Sequence, residues 1–235
     1  MADYALDNSW DSGRVVASDI NIQLLQHLNR HNFEAIEHDI TVDIPPESGF
    51  DIVHTRLVLH HLPEPELAIR RMIDALRPGG WLLLEEVDFF PVHTSTSRRY
   101  VDFMTALTAN VVRASGRDCF WARALPGLVA GMGLRQVGGE GDLSVLQGGS
   151  PVAEFFCLTA EQMRERIIES RELSADRLDE ALGLLRSPDF LGVRRRWCGR
   201  LGSTHKLAHR GGRLDGARLG WAPASIIGGS ISIKA

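Results

Sequence analysis

Apolar residues fall in two periods along this chain. Val15-Val16-Ala17-Ser18 is a short continuous run ending at Asp19, the pattern of a strand buried on both faces. Leu24, Leu25 and Leu28 then sit at helical spacing, and Asn21 stands where a helix cap would be. Phe33 to Glu37 predicts a second strand ending at His38-Asp39. After a Pro45-Pro46 loop, Phe50 to His54 predicts a third. Ile69, Met72, Ile73 and Leu76 form one helical stripe that starts near Pro65 and stops at Pro78-Gly79-Gly80. Trp81-Leu82-Leu83-Leu84 predicts a fourth strand, running into Glu85, Glu86 and Asp88. This alternation builds a parallel sheet covered by helices, an α/β architecture.

Beyond Pro91 the period turns helical. Tyr100, Phe103, Met104, Leu107 and Val111 make one stripe; Leu125, Leu128, Val129 and Met132 make another. Residues 134–147 predict a strand or hairpin around Gly138-Gly139-Glu140-Gly141. Thr159 to Gln162 fits a capping box ahead of Met163, Ile167 and Ile168. Ser174 opens a last helix with Leu178, Leu182 and Leu185, closed by Ser187-Pro188. Ile231-Ser232-Ile233 alternates and is a weak strand signal. No internal repeat or heptad seam is present.

Charge divides the chain where these periods end. Residues 1–190 hold 17 arginines, no lysine and 29 acidic residues, a net charge of −12. Residues 191–235 hold seven arginines, both lysines and one acid, a net charge of +8. The expected organisation is a domain over 1–190 and a basic Gly/Arg-rich tail over 191–235, poorly ordered or frame-shifted. That tail is not read as evidence for a nucleic-acid partner. No apolar run approaches the ~20 residues of a membrane span. The acidic, polar N-terminus does not resemble a signal peptide, and Cys119, Cys157 and Cys198 lack metal-ligand spacing. The expected setting is the cytoplasm, with no metal and no membrane; the oligomeric state is left open.

VVASDI, EHDI, FDIVHTRLVLHHLPEPE and ALRPGGWLLLEEVDF, in that order and spacing, resemble a class I S-adenosylmethionine-dependent methyltransferase. The likeness is to the small-molecule methyltransferase domains of bacteria. It runs from about Gly13 to Asp88 and more loosely to Phe190. It implies a Rossmann-like, doubly wound, mostly parallel sheet with the cofactor S-adenosylmethionine at the strands' carboxyl ends. Carried over by position, Asp19 would accept from the ribose hydroxyls and Ile20 would pack on the adenine. Asp39 would accept from the adenine amino group, with Ile40 beside the ring. Thr55 and Arg56 would line the methionine part, Arg56 being suited to a carboxylate. His60, His61 and Glu85 are the candidates for a base, with Glu86 and Asp88 close by in sequence.

One family element is missing from the pattern. A central first strand and a GxGxG turn should precede the strand at Val15, yet the fourteen residues before it hold only Gly13. The sheet is therefore expected to be N-terminally incomplete, with unpaired edges where the central strand belongs. The expected function is methyl transfer from S-adenosylmethionine to a small-molecule acceptor. The alternative is a non-catalytic, degenerate methyltransferase-like domain or partner subunit. A nicotinamide-binding domain could also hold a ribose at Asp19, but the HDI and RPGG elements favour the methyltransferase.

Overall fold

A computed structural model describes residues 13–28, 31–116, 119–204 and 229–234. In chain order the elements are β1 (Arg14–Asp19), β2 (Phe33–Glu37), β3 (Phe50–Arg56), α1 (Pro65–Ala75), β4 (Leu76–Val87), α2 (Arg98–Ser115), α3 (Leu125–Gly131), β5 (Leu134–Val137), β6 (Glu140–Gln147), α4 (Pro151–Gln162), α5 (Arg164–Glu169), α6 (Ala175–Arg186), β7 (Leu191–Thr204) and β8 (Gly229–Lys234). The described residues form two compact units, one falling within 1–86, 124–140 and 199–235, the other within 87–123 and 141–198.

The strand order is β2-β1-β8-β3-β4-β7-β5, with β6 beside β7. In the first unit β1 runs parallel to β2, and β3 parallel to β4. Both β1 and β3 pair antiparallel with β8, so β1 and β3 run the same way with β8 between them. Val15, Ile233 and Ile52 stand at one register level; Ser18, Ser230 and Thr55 stand at another. This corrects the expectation of unpaired edges. Ile231-Ser232-Ile233 forms a strand and takes the slot, so the facing N–H and C=O groups of β1 and β3 meet a ladder on that side. Residues 205–228 lie outside the described residues.

The apolar runs are buried as their pattern predicts. Val15, Val16 and Ala17 of β1, and Val53, Leu82 and Leu84 of β3 and β4, are closed to solvent. In α1 the buried residues Ala68, Ile69, Met72 and Ala75 make a single stripe. Leu76 does not extend that helix but begins β4. The β3–β4 register steps from Phe50↔Leu76 to Ile52↔Trp81, so Arg77-Pro78-Gly79-Gly80 bulges from the ladder. The bulge needs its glycines: Gly79 has φ +79°, and a Cβ on Gly80 would lie 2.8 Å from the Phe50 carbonyl oxygen.

The helix expected after Asn21 is only a 3₁₀ turn over Ile22–Leu25. The Asn21 side chain does cap it, accepting from the Gln23 amide at 3.0 Å. The turn buries Leu25 alone, while Leu24 stays exposed, so a longer helix has no second apolar face to seat there.

The second unit packs Tyr100, Phe103, Met104 and Leu107 of α2 with Phe156, Cys157 and Ala160 of α4 and Leu178, Leu182 and Leu185 of α6. Ser174 caps α6 as expected, accepting from the Arg177 amide. The capping box at Thr159 is not formed. Thr159 lies inside α4, where its hydroxyl donates to the Phe155 carbonyl, and Ser150 caps that helix with Pro151 in its first turn. The stretch around Gly138 becomes β5 and β6, both bordering β7 rather than each other.

Candidate active site at the carboxyl ends of the parallel strands

Parallel pairing of β1 with β2, and of β3 with β4, carries their last residues to one edge of the first unit. Asp19 ends β1, level with Glu37 of β2, and the His38 amide donates to the Asp19 carbonyl at 3.0 Å. Asp39 follows β2. Thr55 and Arg56 end β3, and Arg56 is level with Glu85 of β4. The start of β8 meets the same edge, since Gly229 lies level with Arg56 and Ser230 with Thr55.

Asp19 closes an Asx turn, its Oδ1 accepting from the Asn21 amide at 2.9 Å. Its other oxygen is not needed for that turn. Ile20 is 70% exposed beside it. Asp39 closes a similar turn: Oδ1 accepts from the Thr41 amide at 2.8 Å and from the Thr41 hydroxyl at 2.6 Å. Those donors, the hydroxyl first, hold the Asp39 carboxyl below its ordinary range. Ile40 is half-buried, and Arg71 of α1 donates to its carbonyl at 2.6 Å. Thr55 is fully buried, and its Oγ1 has no hydrogen-bond partner among the described residues. An unsatisfied buried hydroxyl at a strand end costs about 1–3 kcal/mol unless something else supplies the bond.

The acidic pair at the end of β4, Glu85 and Glu86, is buried. Glu85 meets His54 Nε2 at 3.0 Å and lies 3.8 Å from Arg56 Nε. Glu86, wholly buried, accepts from the amides of Val58 at 3.1 Å and Leu59 at 2.8 Å and faces His60 Nδ1. It thereby anchors the loop that follows β3. That loop turns at Leu57, whose φ is +56° and whose amide donates to the Glu85 carbonyl at 2.8 Å. The His60 and His61 rings lie 3.9 Å apart at 43°. His60 is half-buried and His61 exposed.

In the second unit Asp88 receives both the Nε and one terminal nitrogen of Arg123, at 3.0 and 2.9 Å. The Arg123 guanidinium also lies 4.4 Å over the Phe90 ring.

Asp19, Ile20, Asp39, Ile40, Thr55 and Arg56, expected on the cofactor side, sit at strand ends or in the turns that follow them; Glu85 lies near the end of β4, and His60 and His61 follow β3. His54 and the anchoring role of Glu86 were not anticipated. The available signal was a polar residue set inside an otherwise apolar, two-sided run: His54 in FDIVH and Glu86 directly after WLLLE.

A family model described as "Methyltransferase domain" matches residues 1–134. Among curated proteins, Methyltransferase str2 of Strobilurus tenacellus is 48% identical over 42 residues, 18% of this chain and 15% of that protein. The UbiE ubiquinone/menaquinone biosynthesis C-methyltransferase of Hahella chejuensis is 33% identical over 97 residues, 38% of this chain and 39% of that one. The aligned stretch therefore spans under half of each of these relatives. Among solved structures, BH2331 of Bacillus halodurans superposes with a TM-score of 0.51 at 13% identity, covering 81% of this chain and 83% of that one. YcgJ of Bacillus subtilis gives 0.50 at 13%, covering 81% and 82%. At such identity the solved structures speak for the fold alone. The family model, which takes in more than half of the chain, together with that fold and the ordered strand-end residues, assigns the chain to the class I S-adenosylmethionine-dependent methyltransferases.

Proposed function

We propose that this protein transfers a methyl group from S-adenosylmethionine to a small-molecule acceptor. The observation that carries the reading is the carboxyl edge of β1–β4, where strand ends and the turns after them hold two carboxylates, a buried hydroxyl with no partner among the described residues and an arginine. These groups fit the cofactor's parts. Asp19 Oδ2 would accept from ribose hydroxyls while Oδ1 keeps its turn. Asp39 accepts from the adenine amino group, and Ile20 and Ile40 offer apolar surface to the ring. Thr55 Oγ1 gains the partner that it lacks, and Arg56 takes the methionine carboxylate. Gly229, at the start of β8, brings a residue without a side chain to this edge, where backbone can approach a ligand closely.

When bound, the cofactor supplies an electrophilic sulfonium methyl. The residues position the partners, exclude water and receive a proton, since an in-line displacement asks little else of the protein. Among the candidate bases His60 is favoured. Glu85 is committed to His54 and Arg56, whereas His60 Nδ1 meets the wholly buried Glu86.

Calorimetric titration of the full chain with S-adenosylhomocysteine tests the reading. Asp19→Asn keeps the turn, because an amide oxygen still accepts from Asn21. It should weaken binding about 10- to 100-fold, the loss of a charge-assisted hydrogen bond worth roughly 1.5–3 kcal/mol. Arg56→Met should weaken S-adenosylhomocysteine but leave methylthioadenosine, which lacks the amino-acid part, nearly unaffected. Absence of any binding by the unaltered chain sinks the proposal in favour of the non-catalytic alternative.

A further inference from the structure

Three donors converge on the buried carboxylate of Glu86: two backbone amides on Oε1 and the imidazole of His60 on Oε2. A carboxylate only accepts, so His60 Nδ1 has to carry a proton to make its contact. In a neutral imidazole that leaves Nε2 with the lone pair. The same carboxylate holds the backbone of Val58 and Leu59, so ring and loop are fixed to β4 as one piece. The His61 ring packed against His60 restricts it from another side.

We infer that Glu86 is a positioning residue for His60, fixing the Nδ1–H tautomer and leaving Nε2 as the atom that takes the acceptor's proton. This rests on the methyl-transfer reading above. The step balances as follows. The acceptor–carbon bond forms as the sulfur–methyl bond breaks, and that electron pair stays on sulfur. His60 Nε2 takes the proton of the acceptor, and the imidazolium so formed is neutralised by Glu86 through Nδ1–H. The proton then leaves to solvent from Nε2, the imidazole being 21% exposed. A base hydrogen-bonded through its second nitrogen to an orienting carboxylate is the general arrangement for activating a nucleophile.

The test is a two-bond proton–nitrogen NMR correlation on the ¹⁵N-labelled full chain, with His60 assigned by its loss in His60→Gln. The expected result is the Nδ1–H pattern in the unaltered protein. Glu86→Gln keeps an oxygen for the two backbone amides but presents an N–H to His60 Nδ1. It should invert the tautomer toward Nε2–H while S-adenosylhomocysteine binds within about twofold of the original affinity. A glutamate that held only the Val58 and Leu59 amides, without accepting from His60, would leave the tautomer ratio where it was. Nε2–H in the unaltered chain, or an unmoved ratio in a folded Glu86→Gln, overturns the inference. If the variant fails to fold, the spectrum of the unaltered chain decides alone. An Nδ1–H His60 in a chain that binds no S-adenosylhomocysteine refutes the methyl-transfer reading, and the base role with it, but leaves the Glu86–His60 pairing standing as a separate result.

Discussion

Replacing Ser232 by proline should open the sheet at its middle. Ser232 lies between Val16 of β1 and Val53 of β3, in a strand bordered on both sides. Proline removes the residue's N–H, and with it one ladder bond worth about 0.5–1.5 kcal/mol net. The partner carbonyl is left without a donor between strands whose Val16 and Val53 are 2% exposed, which costs about 1–3 kcal/mol more. The sum is roughly 1.5–4.5 kcal/mol, or about 1–3 decades in an opening equilibrium. Hydrogen exchange read by mass spectrometry localises the effect without assuming that both units unfold together. Amides of residues 14–19 and 50–56 should exchange faster by that factor, while those of α6 in the second unit stay protected. Ser232→Thr, a good strand former, should stay within about 0.5 kcal/mol of the original. Unchanged protection of β1 and β3 in the proline variant would refute the assignment of β8 to the slot.

Other predictions follow from single sites. Thr41→Val removes the hydroxyl donor to Asp39, so the Asp39 carboxyl should titrate at higher pH, as read by carbon NMR. Because this carboxyl is held below its unfolded value, its stabilising contribution is present above the ordinary aspartate range and is lost as pH falls through the folded value; the variant loses it at higher pH. Gly148→Ala puts a Cβ 1.9 Å from the Ser187 carbonyl oxygen, so backbone has to move. Chemical denaturation should show a loss of about 1–3 kcal/mol, and none would mean the approach is looser than drawn. Phe103→Ala empties a ring that is 1% exposed in the α2–α4–α6 core and should cost about 3–5 kcal/mol in the same assay.

The elements that could be read from the sequence are those whose apolar positions are locally sufficient. β1 to β4, α1, α2 and α6 carry continuous runs or complete stripes, and Asn21 and Ser174 are caps that the structure uses. Thr159 misled because its neighbours satisfy a local rule that the preceding turn overrides: Ser150-Pro151 starts the helix nine residues earlier, and a threonine inside a helix bonds back to its own backbone. The strand-end positions of Asp19, Asp39, Thr55 and Arg56 were legible because parallel pairing brings successive strand ends to one edge. The roles of His54, Glu85 and Glu86 were not. Alternation says which side of a strand a residue takes, but not which loop amide or ring will reach a carboxylate 26 or 28 positions away.

The slot between β1 and β3 is the case in which non-local pairing decides the fold. β1 and β3 run the same way and both present backbone groups to the gap, so whatever fills it must pair on two sides. A two-sided strand needs β propensity and no proline more than it needs length, and Gly229–Lys234 meets that requirement with alternating isoleucine and serine. Its antiparallel direction has a consequence for the candidate site. A parallel strand would bring its last residues to the candidate cofactor edge; β8 brings its first, Gly229 and Ser230, level with Arg56 and Thr55. If the proposed cofactor edge is right, substitution of Gly229 by valine should weaken S-adenosylhomocysteine binding while leaving exchange protection of β1 and β3 largely intact, since valine favours the strand but adds bulk level with Arg56. Loss of protection without loss of affinity would place that end of β8 outside the cofactor edge.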